Sequence, residues 1–208
     1  MAAPKGRIAL LRHGETEWSR SGQHTSVTDL DLTDRGVRQA QSIPALLTAL
    51  DVKPVAVLVS PRLRAQRTAS LAGLSTTDID DDLAEWSYGE YEGITSKQIH
   101  QTRPGWSIFT DGAPGGESPA EVGARADRVL DRAAALLTDG DVILVGHGHM
   151  SRVLAARWCG FPVAAGAALT MDAAAVTLLG FYHDDRAIER LNVPAELARS
   201  EQTGPVTP

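Results

Sequence analysis

The chain of 208 residues has one cysteine, Cys159, which excludes an intramolecular disulfide and any cysteine-built metal cluster. In Arg157-Trp158-Cys159-Gly160-Phe161 it reads as a buried helix-end residue rather than a reactive thiol. No apolar run approaches the roughly 20 residues of a membrane span. The opening Met-Ala-Ala-Pro-Lys-Gly is too short and polar for a secretory signal, so a cytoplasmic location is expected. Lysine is scarce, at Lys5, Lys53 and Lys97, and the formal charge is -6. That balance argues against sequence-independent nucleic-acid binding, which needs a cationic surface. No internal repeat and no domain linker is found.

What is present is ordinary globular composition, with 43% hydrophobic and 22% charged residues, enough for one domain with a sizeable core. The cations are mainly arginine, whose fork suits phosphate recognition, although an arginine- and alanine-rich genome gives the same bias.

The chain is organised around Arg7-Ile8-Ala9-Leu10-Leu11-Arg12-His13-Gly14-Glu15-Thr16. The apolar run Ile8 to Leu11 is too short for a helix and fits an interior parallel strand. The carboxyl end of such a strand delivers side chains into a ligand crevice. Arg12 and His13 leave from that end, and Gly14 permits a sharp turn. Val142-Ile143-Leu144-Val145-Gly146-His147-Gly148 repeats the arrangement, a short apolar strand that delivers a histidine beside glycine.

Leu11-Arg12-His13-Gly14-Glu15-Thr16 followed by Trp18, with Gly146-His147-Gly148 late in the chain, resembles the histidine phosphatase superfamily in its phosphoglycerate mutase-like branch. The match runs from about Arg7 to Leu179. It implies a three-layer α/β sandwich, with a mostly parallel central sheet and helices on both faces. Residues 1–192 are expected to form one domain and 193–208 a disordered tail.

Between the two histidine motifs, Thr16 to Leu32 shows little periodicity and reads as a long functional loop. Thr33-Asp34 opens a helix with Val37, Ala40, Ile43 and Leu47 on one face, kinked at Pro44. Val55 to Val59 is a strand ending at Ser60-Pro61-Arg62-Leu63-Arg64, and Pro61 suits a first helical position. Its arginines would lie on opening helical turns that favour anions. The resemblance makes Arg64 the phosphate-binding arginine, with Arg62 and Arg67 structural or peripheral. A short strand from Ile79 to Leu83 precedes Glu85-Trp86-Ser87-Tyr88-Gly89-Glu90-Tyr91-Glu92-Gly93. There the family pattern places the proton donor at Glu85, ahead of Glu90 and Glu92.

Thr95 to Arg103 reads as a short helix and Pro104 to Gly116 as a loop. Ser118-Pro119-Ala120-Glu121 has the order of a capping box that opens a helix to about Thr138. A helix from Met150 to Cys159 and a hairpin of Ala174 to Tyr182 with Ala187 to Leu191 complete the chain.

By resemblance, His13 is the nucleophile that forms a phosphohistidine. Arg12, Arg64 and His147 clamp the phosphoryl oxygens without metal or cofactor, and Glu85 serves the leaving alcohol. His13 must be neutral to attack, whereas His147 is most useful protonated, so an acidic optimum is expected. Thr25 aligns with a substrate-contacting hydroxyl, and Gln23, Ser19 and Gly148 complete the expected binding set. The chain departs from the family at Thr25-Ser26, usually Gln-Gly, and at Ser19, often Asn, so substrate preference does not transfer. The segment from Trp18 to Thr25 does resemble a sugar-phosphate phosphatase subgroup.

Glu85 and His147 stand 62 positions apart, without the longer insertion that shields cofactor-dependent mutases from water, which favours hydrolysis of small phosphorylated substrates. The alternatives are a phosphoglycerate mutase and, in another class, an inactive phospho-ligand-binding module. A metal site built on His13, His24, His147 and His149 lacks the expected carboxylates. The apolar C-terminal hairpin is explained equally by core packing and by a homodimer.

Overall fold

The computed structural model describes residues 6–195. In chain order it holds β1 (Ile8–Arg12), α1 (Glu17–Ser21), α2 (Asp34–Ala49), β2 (Pro54–Val59), α3 (Leu63–Leu71), β3 (Asp78–Ile79), α4 (Ser96–Thr102) and α5 (Ile108–Asp111). Then come α6 (Pro119–Leu136), β4 (Asp141–Gly146), α7 (Gly148–Trp158), β5 (Ala175–Tyr182) and β6 (Asp185–Pro194). The strands form one sheet in the order β3-β2-β4-β1-β5-β6. The first four are mutually parallel, and β5 and β6 are antiparallel to their neighbours.

The apolar runs are strands because both faces of the sheet are covered. Ile8, Leu10, Leu58, Val142 and Leu144 pack with Val122, Ala126 and Val129 of α6 and Val153 and Leu154 of α7. The alternate residues Ala9, Leu11, Val57, Val59, Ile143 and Val145 pack with Ala40, Ile43 and Leu47 of α2 and Ala65 and Ala69 of α3. Each fully buried Leu or Ile contributes about 2 kcal/mol of apolar burial. The result is the expected three-layer sandwich.

Register sets the site. Arg12 lies opposite Gly146 and Val59 opposite Val145, so His13, Ser60 and His147 leave the sheet from one edge. The His13 amide still donates to Gly146 O and the Ser60 amide to Val145 O. Beyond His13 the chain turns so tightly that a Cβ on Gly14 would stand 2.5 Å from Gly36 O, at the start of α2.

Several elements differ from expectation. The stretch Thr16 to Leu32 contains α1, because Thr16 and Ser19 form a reciprocal capping box. Helix α2 continues through Pro44. Pro61 precedes α3 by two residues: the Leu63 amide is taken by Asp29 Oδ1 at 2.8 Å, so the helix opens at Leu63 with Arg62 as its cap residue. Strand β3 stops at Ile79, since the Asp80 side chain accepts from the Asp82 amide and starts a 3-10 turn over Asp81–Leu83. The Pro104 to Gly116 loop holds α5, whose Ile108 and Phe109 are buried. Helix α6 ends at Leu136 rather than Thr138. Strand β6 extends to Pro194 and so takes in the first two residues of the expected tail; Ala195 is buried, and 196–208 lie outside the described residues. Cys159 caps the C-terminus of α7 and is half-buried. In the hairpin, Val176, Leu178 and Leu179 of β5 are core residues, which accounts for much of its apolar character. Among the described residues no helix is long and apolar enough to cross a membrane.

Candidate active site

His13 follows β1 and its ring is buried. Its Nδ1 lies 2.7 Å from Gly14 O. A carbonyl only accepts, so Nδ1 carries the hydrogen and the neutral ring leaves a lone pair on Nε2. Burial, reinforced by Arg12 and Arg64, holds His13 well below the usual 6.5, so it stays neutral. The ring centroids of His13 and His147 are 5.2 Å apart, at 62° between planes.

Three cationic or proton-bearing groups gather behind His13. Arg12 crosses Gly148, where a Cβ would stand 3.3 Å from its Cζ, and donates from Nη1 to Met171 O at 2.6 Å. Arg64, on the first turn of α3, is wholly buried; it donates to the carbonyls of Thr25, Ser26 and Thr28. His147 caps α7 and bonds through Nε2 to Ser60 Oγ at 2.7 Å. Burial, with the charges of Arg64 and Arg12, pushes His147 well below 6.5, so without a bound anion it is neutral, unlike the protonated form expected of it. Arg12 Nε, Arg64 Nε and His147 Nδ1 are all buried without a hydrogen-bond partner. Arg62 Nε is in the same state, and unpaired buried polar atoms are costly unless a polar group meets them. None of the side chains of Arg12, Arg64 and His147 forms an ion pair with a carboxylate among the described residues.

Glu85 reaches the same place from the other side. Its Oε1 accepts from the Trp86 amide and from the Met150 amide, both at 2.9 Å, and Oε2 accepts from the His149 amide at 3.1 Å. The carboxyl thus sits on the opening turn of the helix that begins after His147, where free amides point outward. Arg125 of α6 fixes the segment before it, donating to Asp82 O at 2.7 Å and Ala84 O at 2.6 Å while forking onto Glu117. Neither Glu90 nor Glu92 takes this position. Glu92 instead accepts from the Ser26 and Thr28 amides and the Ser26 hydroxyl, and so holds the loop that Arg64 grips from beneath.

These groups meet at a cleft of about 230 Å³ whose walls include Arg12, His13, Glu85, Tyr88, Thr25 and Gly148. Arg64 and His147 are wholly buried and are not among its lining residues. Gln23 and Ser19 also line it. The Gln23 amide is tied to Gly93 O and Ser21 Oγ, and the Ser19 hydroxyl to both backbone groups of Thr16. Ser19 is therefore a helix cap as well as a wall. Two partners escaped the sequence reading. Ser60 orients His147, and the Tyr88 hydroxyl shares a hydrogen bond of 2.5 Å with His149 Nδ1, its phenol kept protonated by burial. The spacing Glu85-x-x-Tyr88 was visible, but nothing in it said which way the ring turns.

This geometry agrees with what the chain is similar to. Residues 8–194 match the histidine phosphatase superfamily, branch 1. An acid phosphatase of Mycobacterium tuberculosis is 42% identical over 193 residues, covering 93% of this chain and 95% of that protein. A sedoheptulose 1,7-bisphosphatase of Saccharomyces cerevisiae is 35% identical over 186 residues, covering 76% and 69%. A solved structure of an open reading frame product of Mycobacterium tuberculosis superposes with a TM-score of 0.89 at 42% identity, covering 91% of this chain and 98% of the other. The chain belongs to the histidine phosphatase superfamily, branch 1, and is a phosphatase.

Proposed function

We propose that this protein is an acid phosphomonoesterase that acts on small phosphorylated metabolites through a phosphohistidine. The observation that carries the reading is the bond from His13 Nδ1 to Gly14 O beside the unpaired nitrogens of Arg12, Arg64 and His147. It leaves a bare lone pair on Nε2 of a ring that lines the cleft with Arg12. His13 Nε2 attacks phosphorus in line, and the bond to the leaving oxygen breaks as Glu85 delivers a proton to it. Glu85 Oε2, with one amide donor against two on Oε1, has room for that proton. Water then attacks the phosphohistidine, Glu85 takes its proton back, and the P–N bond breaks to release phosphate and neutral His13. Arg12 and Arg64 stabilise the charge on the equatorial oxygens, and His147 gains a proton once the dianion is bound.

Burial keeps His13 neutral well below pH 6.5, so the nucleophile remains available in acid. Thr25, Gln23, Ser19 and Gly148 shape the entrance. We read the chain as one cytoplasmic domain, and β6, at the open edge of the sheet, as the place where a second copy would pair. Sedimentation velocity tests the pairing.

The deciding experiment is phosphate release from 4-nitrophenyl phosphate and 3-phosphoglycerate with a chelator present, from pH 4 to 8. Wild type should hydrolyse the aryl ester best below neutrality. His13→Ala should lose at least about 1,000-fold in kcat, since covalent catalysis is removed. Glu85→Gln should lose more on the poorer leaving group. Activity that survives His13→Ala, or interconversion of phosphoglycerates without release of phosphate, would overturn the reading.

A further inference from the structure

The phosphoryl clamp leans on a part of the chain that holds none of the catalytic groups. Arg12 donates from Nη1 to Met171 O at 2.6 Å, and its side chain makes no other hydrogen bond among the described residues. Gly148 packs against the guanidinium, where a Cβ would stand 3.3 Å from Nε. That contact limits how far the group can move on one side, but only the Met171 carbonyl decides which way its nitrogens point. The aim of Arg12 is therefore set by whatever holds Met171. Building on the reading of Arg12 as a clamp for the transferred phosphoryl group, we infer that Asn192, a residue of β6 outside the cleft, is a positioning residue for catalysis that acts through segment 170–172.

The backbone of β6 makes this reach possible. Val176 pairs with Val193, but Leu178 pairs with Arg190, so Leu191 and Asn192 together oppose Thr177 in a bulge. Asn192 lies in the left-handed region at φ 54°, which asparagine tolerates better than most side chains. Its amide donates to Thr177 Oγ1 at 3.0 Å, and its half-buried side chain meets the segment that leads into β5.

That side chain grips both neighbours of Met171. The Asp172 amide can only donate, so it takes Asn192 Oδ1 as its acceptor, at 2.6 Å. Nδ2 is then left to donate to Asp172 Oδ2 at 3.0 Å and to Thr170 Oγ1 at 3.2 Å. Met171 is held by its side chain as well: the buried Thr177 hydroxyl, acceptor of the Asn192 amide, donates to Met171 Sδ at 3.4 Å. Two residues beyond Asp172, the Ala174 amide donates to His13 O at 3.1 Å, so the same turn also supports the backbone of the nucleophile.

Losing the Asn192 amide would leave the charge of Arg12 in place and cost its aim. Attraction between a cation and a bound dianion survives small displacements. Stabilising the charge that develops on the equatorial oxygens requires donors fixed in advance. The signature of this role is a fall in kcat with KM little changed.

Asn192→Gly tests it, because glycine keeps the left-handed backbone while removing all three side-chain bonds. With 4-nitrophenyl phosphate, kcat should fall about fivefold to tenfold and KM change by less than about twofold, the scale of a lost hydrogen bond felt in the transition state. The urea midpoint should stay near that of wild type. A double-mutant cycle then asks whether the effect passes through Arg12: in Arg12→Ala, adding Asn192→Gly should change kcat by less than about twofold, since no guanidinium remains to be aimed. Thr170→Val, at an exposed position, removes one acceptor and supplies a milder variant for the same cycle should Asn192→Gly fail to fold. A wild-type kcat in Asn192→Gly, or equal effects with and without Arg12, overturns the inference and leaves the phosphatase reading intact. If Arg12→Ala itself keeps wild-type activity, the clamp assigned to Arg12 is what fails, and the inference falls with it.

Discussion

Ser60 Oγ lies 2.7 Å from His147 Nε2 and joins the carboxyl ends of the neighbouring parallel strands β2 and β4. The other ring nitrogen of His147 has no partner, so this single bond sets the ring's orientation. Ser60→Ala should lower kcat/KM toward an aryl phosphate about tenfold, the worth of one buried hydrogen bond. Steady-state kinetics measure it; undiminished activity would mean that packing alone orients the imidazole.

Arg125 carries the Glu85 segment on a fork shared with Glu117, whose ion pair is 2.8 Å long and mostly buried. Arg125→Leu strands Glu117 and frees the carbonyls of Asp82 and Ala84. A loss of about 3 kcal/mol in urea unfolding is expected, with a fall in kcat as Glu85 drifts. Arg125→Lys should restore little of either, because one ammonium cannot span the same acceptors.

Glu92 does for the Thr25–Thr28 loop what Arg125 does for Glu85. Burial pushes its carboxyl up, yet the bonds from Ser26 and Thr28 outweigh that and hold it below its ordinary range. Glu92→Gln keeps the shape but loses an acceptor oxygen. KM should rise several-fold with kcat less affected, and stability should drop by about 1 kcal/mol at this half-exposed site. A kcat defect with normal KM would contradict this role.

Four buried histidines predict how stability follows pH. Burial, first among the causes for each, holds His13, His147 and His149 well below 6.5 and His24 at about 4. Below about pH 6.5 the unfolded chain takes up protons at these sites and the folded chain does not. The unfolded state then binds more protons, so stability is complete above pH 6.5 and declines as pH falls toward 4. His24 alone accounts for on the order of 3 kcal/mol across that range. Thermal melts from pH 7 to 4.5 should show the decline, and His24→Gln should make it shallower without abolishing it, since His13, His147 and His149 keep their share. A melting temperature independent of pH over this span would refute the assignment of neutral, buried rings.

The sequence by itself determined the strands that present the site. Four-residue apolar runs ending in His13 and His147 can be buried on both faces only as interior strands, and glycine after each histidine is where a tight turn or close approach occurs. The capped helices opening at Thr33, Thr95 and Ser118 were legible for the same local reason: each cap bonds within four residues.

Only the tertiary structure decided what depends on partners distant in sequence. Asp29 moves the start of α3 past Pro61, and Asp80 stops β3 early. In the site, Glu85 rather than Glu90 or Glu92 meets His13 because its carboxyl is caught by amides 64 and 65 residues away. Asn192, silent in the sequence, meets the turn that carries Met171 because a bulge in β6 brings it there. Local propensity reaches across one turn, whereas the charge and burial that turn a side chain into a chemical group are set by chain segments that only folding brings together.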